Sequence, residues 1–592
     1  DEAVAAVREI IGDENCMSGS VVESVIAASD TAKDVQKIML LVVPIIFLIL
    51  LITTNSWFEP VLFMITIGVA ILINMGTNMI FANVSFVTNA AGPVLQLAVS
   101  MDYSIFLLHR FEENRNLGLK AEEAMCAAVK QSVGSILSSG LTTVTGFLAL
   151  VFMSFQIGPD LGWAMSKAIV FSLISVLCFL PALAITTYRL IDRTRHRPLV
   201  PGFGGFAGLV MKIRIPLLIL TLLVGPVSWL AQNQNSFYYG GSEVYTSEAT
   251  QLGRDTKAIR ELYGTSNPVV LMVPRGNLEK EAAMNAELLE LDYVTSVISY
   301  ANSVGNSIPS DFVPSDTLSS LYSANYSRFI LTLDTEEREA DWDQKVNAIR
   351  NIGEKYYGNE IQYAGDLVST EDLKTTITQD NLKVNLLAIG FVVCILLVNF
   401  KSISLPLILT LVIEASIWIN LGLPYFSGNR LFYIGYLIIS TVQLGATIDY
   451  AILFTDRYLE FRKEMPKKDA ARQTLKACTL SILTSSLVLT LAGTILGQVS
   501  TNGVLSQLGT LIGRGAVLSF VLVIFVLPSL LILLDGLIRR TTLNAGFHGT
   551  GKRAAGGKGG SGAGSAGTDT AGGRKSEGEK AEERNVLTGG AD

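Results

Sequence analysis

Apolar residues gather in long runs at 36–54, 57–76, 91–110, 132–154, 161–189, 211–230, 384–400, 403–422, 432–456, 478–498 and 510–537. An α-helix needs about 20 apolar residues to cross roughly 30 Å of hydrocarbon, so the pattern predicts eleven membrane spans. Between the sixth and seventh runs, residues 231–383 are polar, and their apolar positions alternate over short stretches. That period reads as strands of a soluble domain. The order is strand 268–273, helix 278–291, strand 294–300, a long insertion, strand 327–333, helix 341–356 and strand 360–364. Two βαβ units in series predict a ferredoxin-like sandwich, a fold that serves many functions. The mixed-charge helical segments 118–131 and 466–476 each precede a span and read as amphipathic helices on the membrane surface.

The chain repeats itself. Shifted by 347 positions, Asp102-Tyr103 falls on Asp449-Tyr450, Arg110 on Arg457, Glu113 on Glu460, Ser138-Ser139 on Ser485-Ser486, Lys167 on Arg514 and Pro181 on Pro528. Upstream the shift is 346, pairing Pro60 with Pro406 and Asn74 with Asn420. Self-similarity over such a distance means two copies of one architecture. Six spans per copy, an even number, put both halves in the same orientation, a parallel repeat about an axis along the membrane normal. In this frame 1–35 corresponds to 347–381, and the span at 211–230 has no counterpart. The expectation is a twelve-span protein in which about 140 further residues stand before Asp1.

Composition agrees: of 592 residues, 49% are hydrophobic and only 16% charged, against about 25% charged in soluble domains. Disorder, a disulfide scaffold and an ordinary soluble enzyme are excluded for the chain as a whole. The five cysteines are scattered, without CxxC, and read as small buried hydrophobes. Basic residues crowd the stretches 109–130, 189–214, 457–476 and the tail from 539, all on one side if the spans alternate. By the positive-inside rule that side is cytoplasmic, which places 231–383 outside. No GxxxxGK[ST] loop and no Ser/His/Asp arrangement occurs, so neither ATP-driven transport nor enzymatic chemistry is indicated.

Asp102 and Asp449 each sit near the middle of a span. An acid there costs about 2.5–3.5 kcal/mol on insertion scales and commonly marks an ion or proton pathway. Removal from water disfavours the charged carboxylate, so such an acid can take up a proton and release it when hydrated. Tyr103 and Tyr450 can hydrogen-bond the acids and extend a relay. A structural ion pair with Lys167 or Arg514 is the plain alternative, but those cations lie nearer the outer span ends and suit snorkelling. Glu414 is a third mid-span acid, without an acidic repeat partner, and can face a central cavity or assist the relay. Ser138, Ser139, Ser485 and Ser486 can hydrogen-bond the acids or pack helices.

The segments SMDYSIFLLHRFEE and TIDYAILFTDRYLEF, in six-span halves with an outer domain after each first span, resemble the MMPL branch of the RND transporter superfamily. The resemblance implies an α-helical polytopic fold with extracytoplasmic α+β porter domains, and a proton relay formed by Asp102, Tyr103, Asp449 and Tyr450. It implies proton-driven export of lipids, drugs or other amphiphiles from a cell membrane, with protons as coupling ion, no other cofactor and no nucleic acid. One acid per motif favours the MMPL type over tripartite drug pumps, and 231–383 is too short for two porter subdomains plus a docking unit, so no outer-membrane channel partner is expected; a homo-oligomer is left open. The domain plan is then 1–35, end of a first porter domain; 36–190, five spans of the first repeat; and 191–210, a basic cytoplasmic linker. It continues with 211–230, first span of the second repeat; 231–383, porter domain; 384–540, five further spans; and 541–592, a disordered Gly/Ser/Lys-rich cytoplasmic tail. The alternatives are a Patched-like or sterol-sensing receptor and a Sec-accessory component of protein translocation.

Overall fold

Each apolar run folds as a helix, because in lipid only intrahelical hydrogen bonds satisfy the backbone. The computed structural model describes residues 2–547 apart from 82–83, 241–243, 245–246, 265–266, 306–307, 309–311, 338, 340 and 544–545. The Gly/Ser/Lys-rich segment from 548 lies outside the described residues. A short α1 (Glu2–Ile11) precedes α2 (Ser20–Thr53), α3 (Glu59–Gly76), α4 (Phe86–Asn116), α5 (Ala121–Ala149), α6 (Ile157–Ile174), α7 (Leu180–Arg193) and α8 (Gly204–Gln232). The second half holds α14 (Asp366–Phe400), α15 (Ser404–Ser427), α16 (Tyr433–Glu464), α17 (Lys467–Val499), α18 (Gly503–Phe525), α19 (Leu527–Leu533) and α20 (Asp535–Thr541). Eleven helical stretches among the described residues are long and apolar enough to cross a membrane, as the sequence predicts. Two of them depart from α-helix just before a repeat-related proline: α6 widens into a π-helical turn, Ser175–Phe179, ahead of Pro181 on α7, and α18 is interrupted at Val526 ahead of Pro528 on α19, since proline cannot donate to the preceding turn.

Between α8 and α14 lie β1 (Phe237–Tyr238), α9 (Gln251–Tyr263), β2 (Asn267–Pro274), α10 (Leu278–Leu289), β3 (Val294–Ile298), α11 (Tyr300–Ser303), α12 (Ser315–Leu321), β4 (Tyr326–Leu333), α13 (Trp342–Tyr357) and β5 (Gln362–Ala364). The four-stranded sheet runs β3-β4-β2-β5, each neighbour antiparallel, which is the split βαβ arrangement of a ferredoxin-like sandwich. Val269, Leu271 and Val273 on β2 and Phe329, Leu331 and Leu333 on β4 alternate inward, burying against Met284 and Leu288 of α10 and Val346 and Ile349 of α13. The remaining strand, β6 (Leu431–Phe432), pairs with β1 in parallel and ties the start of α16 to the chain leaving α8.

The halves embrace by exchange: α4 packs on α17 and α16 on α5, while α2 packs on α17 and α14 on α5. The most enclosed helices are α4 and α16, 89% and 94% buried over their apolar windows, against 22% for α2 and α14. Both run from the sheet end of the bundle to the opposite end, the far face. Repeat-related polar pins recur. Asn74 donates to Gln96 at 3.1 Å and Asn420 to Gln443 at 2.8 Å, and the bridge Ser56–Arg195 has its counterpart in Ser402–Thr542.

Two sequence expectations are corrected here. Residues 118–131 and 466–476 do not form separate surface helices; 121–131 and 467–476 are the first turns of α5 and α17, continuous with the spans. Nothing breaks the backbone hydrogen-bond ladder after Ala121 or Lys467, so the helix runs on. Of the cysteines only Cys478 is buried; Cys126, Cys178 and Cys394 are on the protein's outer surface, and Cys16 is exposed too. Apolar runs show that a helix lies in lipid, but their sequence does not show which face meets lipid and which meets protein.

Candidate functional site

Asp102 on α4 and Asp449 on α16 open onto one cavity of about 40 Å³ between the two halves. Tyr103, Tyr450, Ser139 of α5 and Ser485 of α17 line it as well, and the space is enough to admit water. The Tyr103 hydroxyl donates to Thr143 Oγ1 at 3.2 Å. Thr143 Oγ1 in turn stands 2.9 Å from the Gly445 carbonyl and 3.4 Å from Asp449 Oδ2. This reach depends on a close crossing of α5 and α16, since a Cβ placed on Gly146 would lie 3.1 Å from Gly445 Cα. The tyrosine of one half is thereby connected to the aspartate of the other. Ser139 stands beside Asp449 and Ser485 beside Asp102.

Asp102 Oδ1 and Asp449 Oδ1 are buried without a hydrogen-bond partner. A buried acceptor left unmatched costs about 1–3 kcal/mol, more when charged, a penalty that a proton or a water molecule in the cavity relieves. Two such acids flanked by hydroxyl groups, with no cation paired to either among the described residues, can accept, hold and pass protons.

The other predicted residues divide. Ser139 and Ser485 face the acids, whereas Ser138 donates to Asn399 Oδ1 at 2.7 Å and Ser486 to the Ala516 carbonyl at 3.1 Å. Glu414 does not face this cavity; it meets Trp418 on its own helix and stands near Tyr436. Lys167 and Arg514 neither pair with the acids nor reach for headgroups. Lys167 Nζ donates to the Asn74 carbonyl at 3.1 Å and to Asn78 at 2.7 Å, and Arg514 donates to the Asn420 carbonyl and side chain, both at 2.7 Å. At α3 the acceptors are at the C-terminal turn, where orphan carbonyls favour cations. Thr143 and four further polar residues escaped the sequence reading. Ser135 donates to Asp456 Oδ2 at 2.6 Å, and His109 Nδ1 lies 3.0 Å from Ser481 Oγ. The available signal was that 109 and 456 are 347 apart, the same spacing as the two aspartates.

The sequence profile of the MMPL family matches residues 1–199 and 242–554. The chain belongs to the MMPL family. It is 23% identical over 536 residues to the membrane protein ActII-3 of Streptomyces coelicolor, covering 86% of this chain and 71% of that protein. It is 28% identical over 162 residues to MmpL12 of Mycobacterium tuberculosis, named as a probable transport protein, covering 26% of this chain and 14% of that one. SecDF of Thermus thermophilus, a translocon-associated membrane protein, superposes with a TM-score of 0.57 at 15% identity, over 86% of this chain and 63% of its own. The chain therefore spans part of each, and the likeness to SecDF is one of fold. As an MMPL protein it is a multi-pass membrane protein of a family with transport relatives.

Proposed function

We propose that this MMPL chain is the membrane core of a proton-driven exporter of lipids, drugs or other amphiphiles, with Asp102 and Asp449 as the proton-binding groups and Tyr103 and Tyr450 extending the relay. The observation that carries this reading is the meeting of two mid-helix acids in one cavity at the seam between the halves, each with an unpartnered oxygen. Protonation removes the charge from the seam and deprotonation restores it, so the packing of α4 against α17 and of α16 against α5 responds to proton occupancy. The far face, which carries Arg110, Arg457, Arg462 and the basic stretch 189–214, is assigned to the cytoplasm, and the sheet domain to the outside as a porter domain. A cell membrane is the proposed location, and no outer-membrane channel is required.

The test is a proteoliposome experiment that follows lumenal pH and loss of a fluorescent amphiphile under an imposed proton gradient. Asp102→Asn and Asp449→Asn are each expected to abolish gradient-driven export while leaving the protein folded. Wild-type export by both folded variants refutes the relay. The fold likeness to SecDF favours a second reading, a component assisting protein translocation. Gradient-dependent movement of a preprotein, with none of the amphiphile, would select it.

A further inference from the structure

The cavity does not end at the acids. It is lined as well by Ser135 of α5 and Ser481 of α17, each four residues, one helical turn, nearer the far face than Ser139 and Ser485. Ser135 Oγ donates to Asp456 Oδ2 at 2.6 Å, and Ser481 Oγ meets His109 Nδ1 at 3.0 Å. Asp456 and His109 lie seven residues, two helical turns, beyond Asp449 and Asp102 on the same helices. Each contact crosses the seam, so each half supplies the serine for the other half's titratable side chain.

Immediately beyond, four side chains close a ring. Arg110 reaches Glu460 at 3.2 Å and Glu113 at 3.2 Å, while Arg457 reaches Glu113 at 2.9 Å and Glu460 at 3.0 Å. The arginines are 13% and 14% exposed and the glutamates 53% and 52%, so the ring marks the change from protein interior to solvent. His109 is faced by Glu112 and Glu113 from α4, Arg457 from α16 and Ser481 from α17. Asp456 is faced by Ser135 from α5, Arg110 from α4, and Arg457 and Glu460 from its own helix.

From this geometry we propose that protons leave the paired acids by two branches, Ser135–Asp456 and Ser481–His109, which open to the far face at the Arg110–Glu113–Arg457–Glu460 ring. A serine hydroxyl accepts one proton and donates another, so it passes a proton without storing charge. Carboxyl and imidazole groups can load and unload; the guanidinium groups cannot. Glu113 and Glu460 are each paired with both arginines, so the ring holds the halves together, and the titratable pair between it and the acids carries the protons. The proposal rests on the reading of Asp102 and Asp449 as proton-binding groups.

Proton flux into proteoliposomes, recorded by a lumenal pH dye under a potassium diffusion potential, tests it. The double variant Asp456→Asn/His109→Gln is expected to slow the initial rate at least tenfold, while Asp456→Glu/His109→Gln, which keeps one titratable branch, runs within about twofold of wild type. A folded double variant with wild-type flux, alongside an inactive Asp102→Asn, overturns the branches and leaves the acids in place. Wild-type flux in Asp102→Asn and Asp449→Asn as well removes the proton-site reading itself. Should the double variant fail to fold, Ser135→Ala with Ser481→Ala decides: a several-fold slower flux supports the branches, and an unchanged flux overturns them.

Discussion

Single hydroxyls and carboxyls set the electrostatics of this protein, and the clearest case outside the membrane is Glu281 on α10. Its side chain is wholly buried beneath the sheet, where Ser327 Oγ donates to Oε2 at 2.8 Å and Oε1 has no partner. Burial pushes its carboxyl above the ordinary 4.5, against the smaller opposing pull of Ser327 and Arg275. A carboxyl raised by folding is protonated in the folded domain at pH values where the unfolded chain has already lost the proton. The folded state thus binds more protons, and stability falls as pH rises from about 4.5 through the raised value. Glu281→Gln keeps an oxygen for Ser327 and cannot ionise. Hydrogen-exchange protection of β2 and β4 is therefore expected to be equal or higher in the variant at pH 7, with the difference closing toward pH 4.5. A variant less protected at pH 7 than at pH 4.5, relative to wild type, contradicts the sign. The same scale limits what the sequence shows: Asp102 and Asp449 stand out as acids in apolar runs, but choosing Ser139 and Ser485 over Ser138 and Ser486 requires the rotation of α5 and α17 about their axes.

At the scale of elements, close helix contact rests on missing side chains. On α17 and α18, Gly493 and Gly497 interlock with Gly509 and Gly513, two small-xxx-small pairs face to face. A Cβ on Gly493 would fall 2.6 Å from Gly513 N and 2.7 Å from the Gly509 carbonyl, and backbone cannot yield as a flexible side chain can. Gly493→Ala is expected to cost about 1–3 kcal/mol of overpacking, lowering the unfolding midpoint in detergent. Gly390 on α14 has open space around it, so Gly390→Ala should hold or raise the midpoint by up to about 1 kcal/mol of helix propensity. Equal midpoints in the two variants would show that α17 and α18 separate at no cost. Most elements were legible because length and apolarity alone define a span, and strand period alone defines the sheet. The surface-helix reading of 118–131 and 466–476 failed for a definite reason: mixed charge reports solvent exposure of a helical turn and not where that helix ends.

Over the whole molecule, two helices link the sheet end of the bundle to the seam. Helix α14 starts directly after β5 at Gly365, whose φ of 141° only glycine adopts easily, and α2 starts the same way after Gly19, φ 132°. Each is then pinned to the opposite half by a repeat-related carboxylate. Asp380 accepts from the Ser154 backbone amide at 2.6 Å and its hydroxyl at 3.0 Å, and Asp34 accepts from both the amide and the hydroxyl of Thr501 at 2.7 Å. Ser154 lies between α5 and α6, and Thr501 between α17 and α18, so each pin joins α14 or α2 to the sheet end of a helix that borders the acid cavity. If proton occupancy shifts α5 or α17, these carboxylates transmit the shift to α14 and α2. Asp34→Ala/Asp380→Ala leaves the cavity residues untouched and cuts both links. The double variant is expected to conduct protons at a rate within about twofold of wild type while amphiphile export falls at least tenfold, so that protons moved per molecule exported rises by the same factor. Parallel loss of both fluxes would instead place these aspartates in the proton path, and an unchanged ratio would show that the sheet end and the seam are coupled through other contacts.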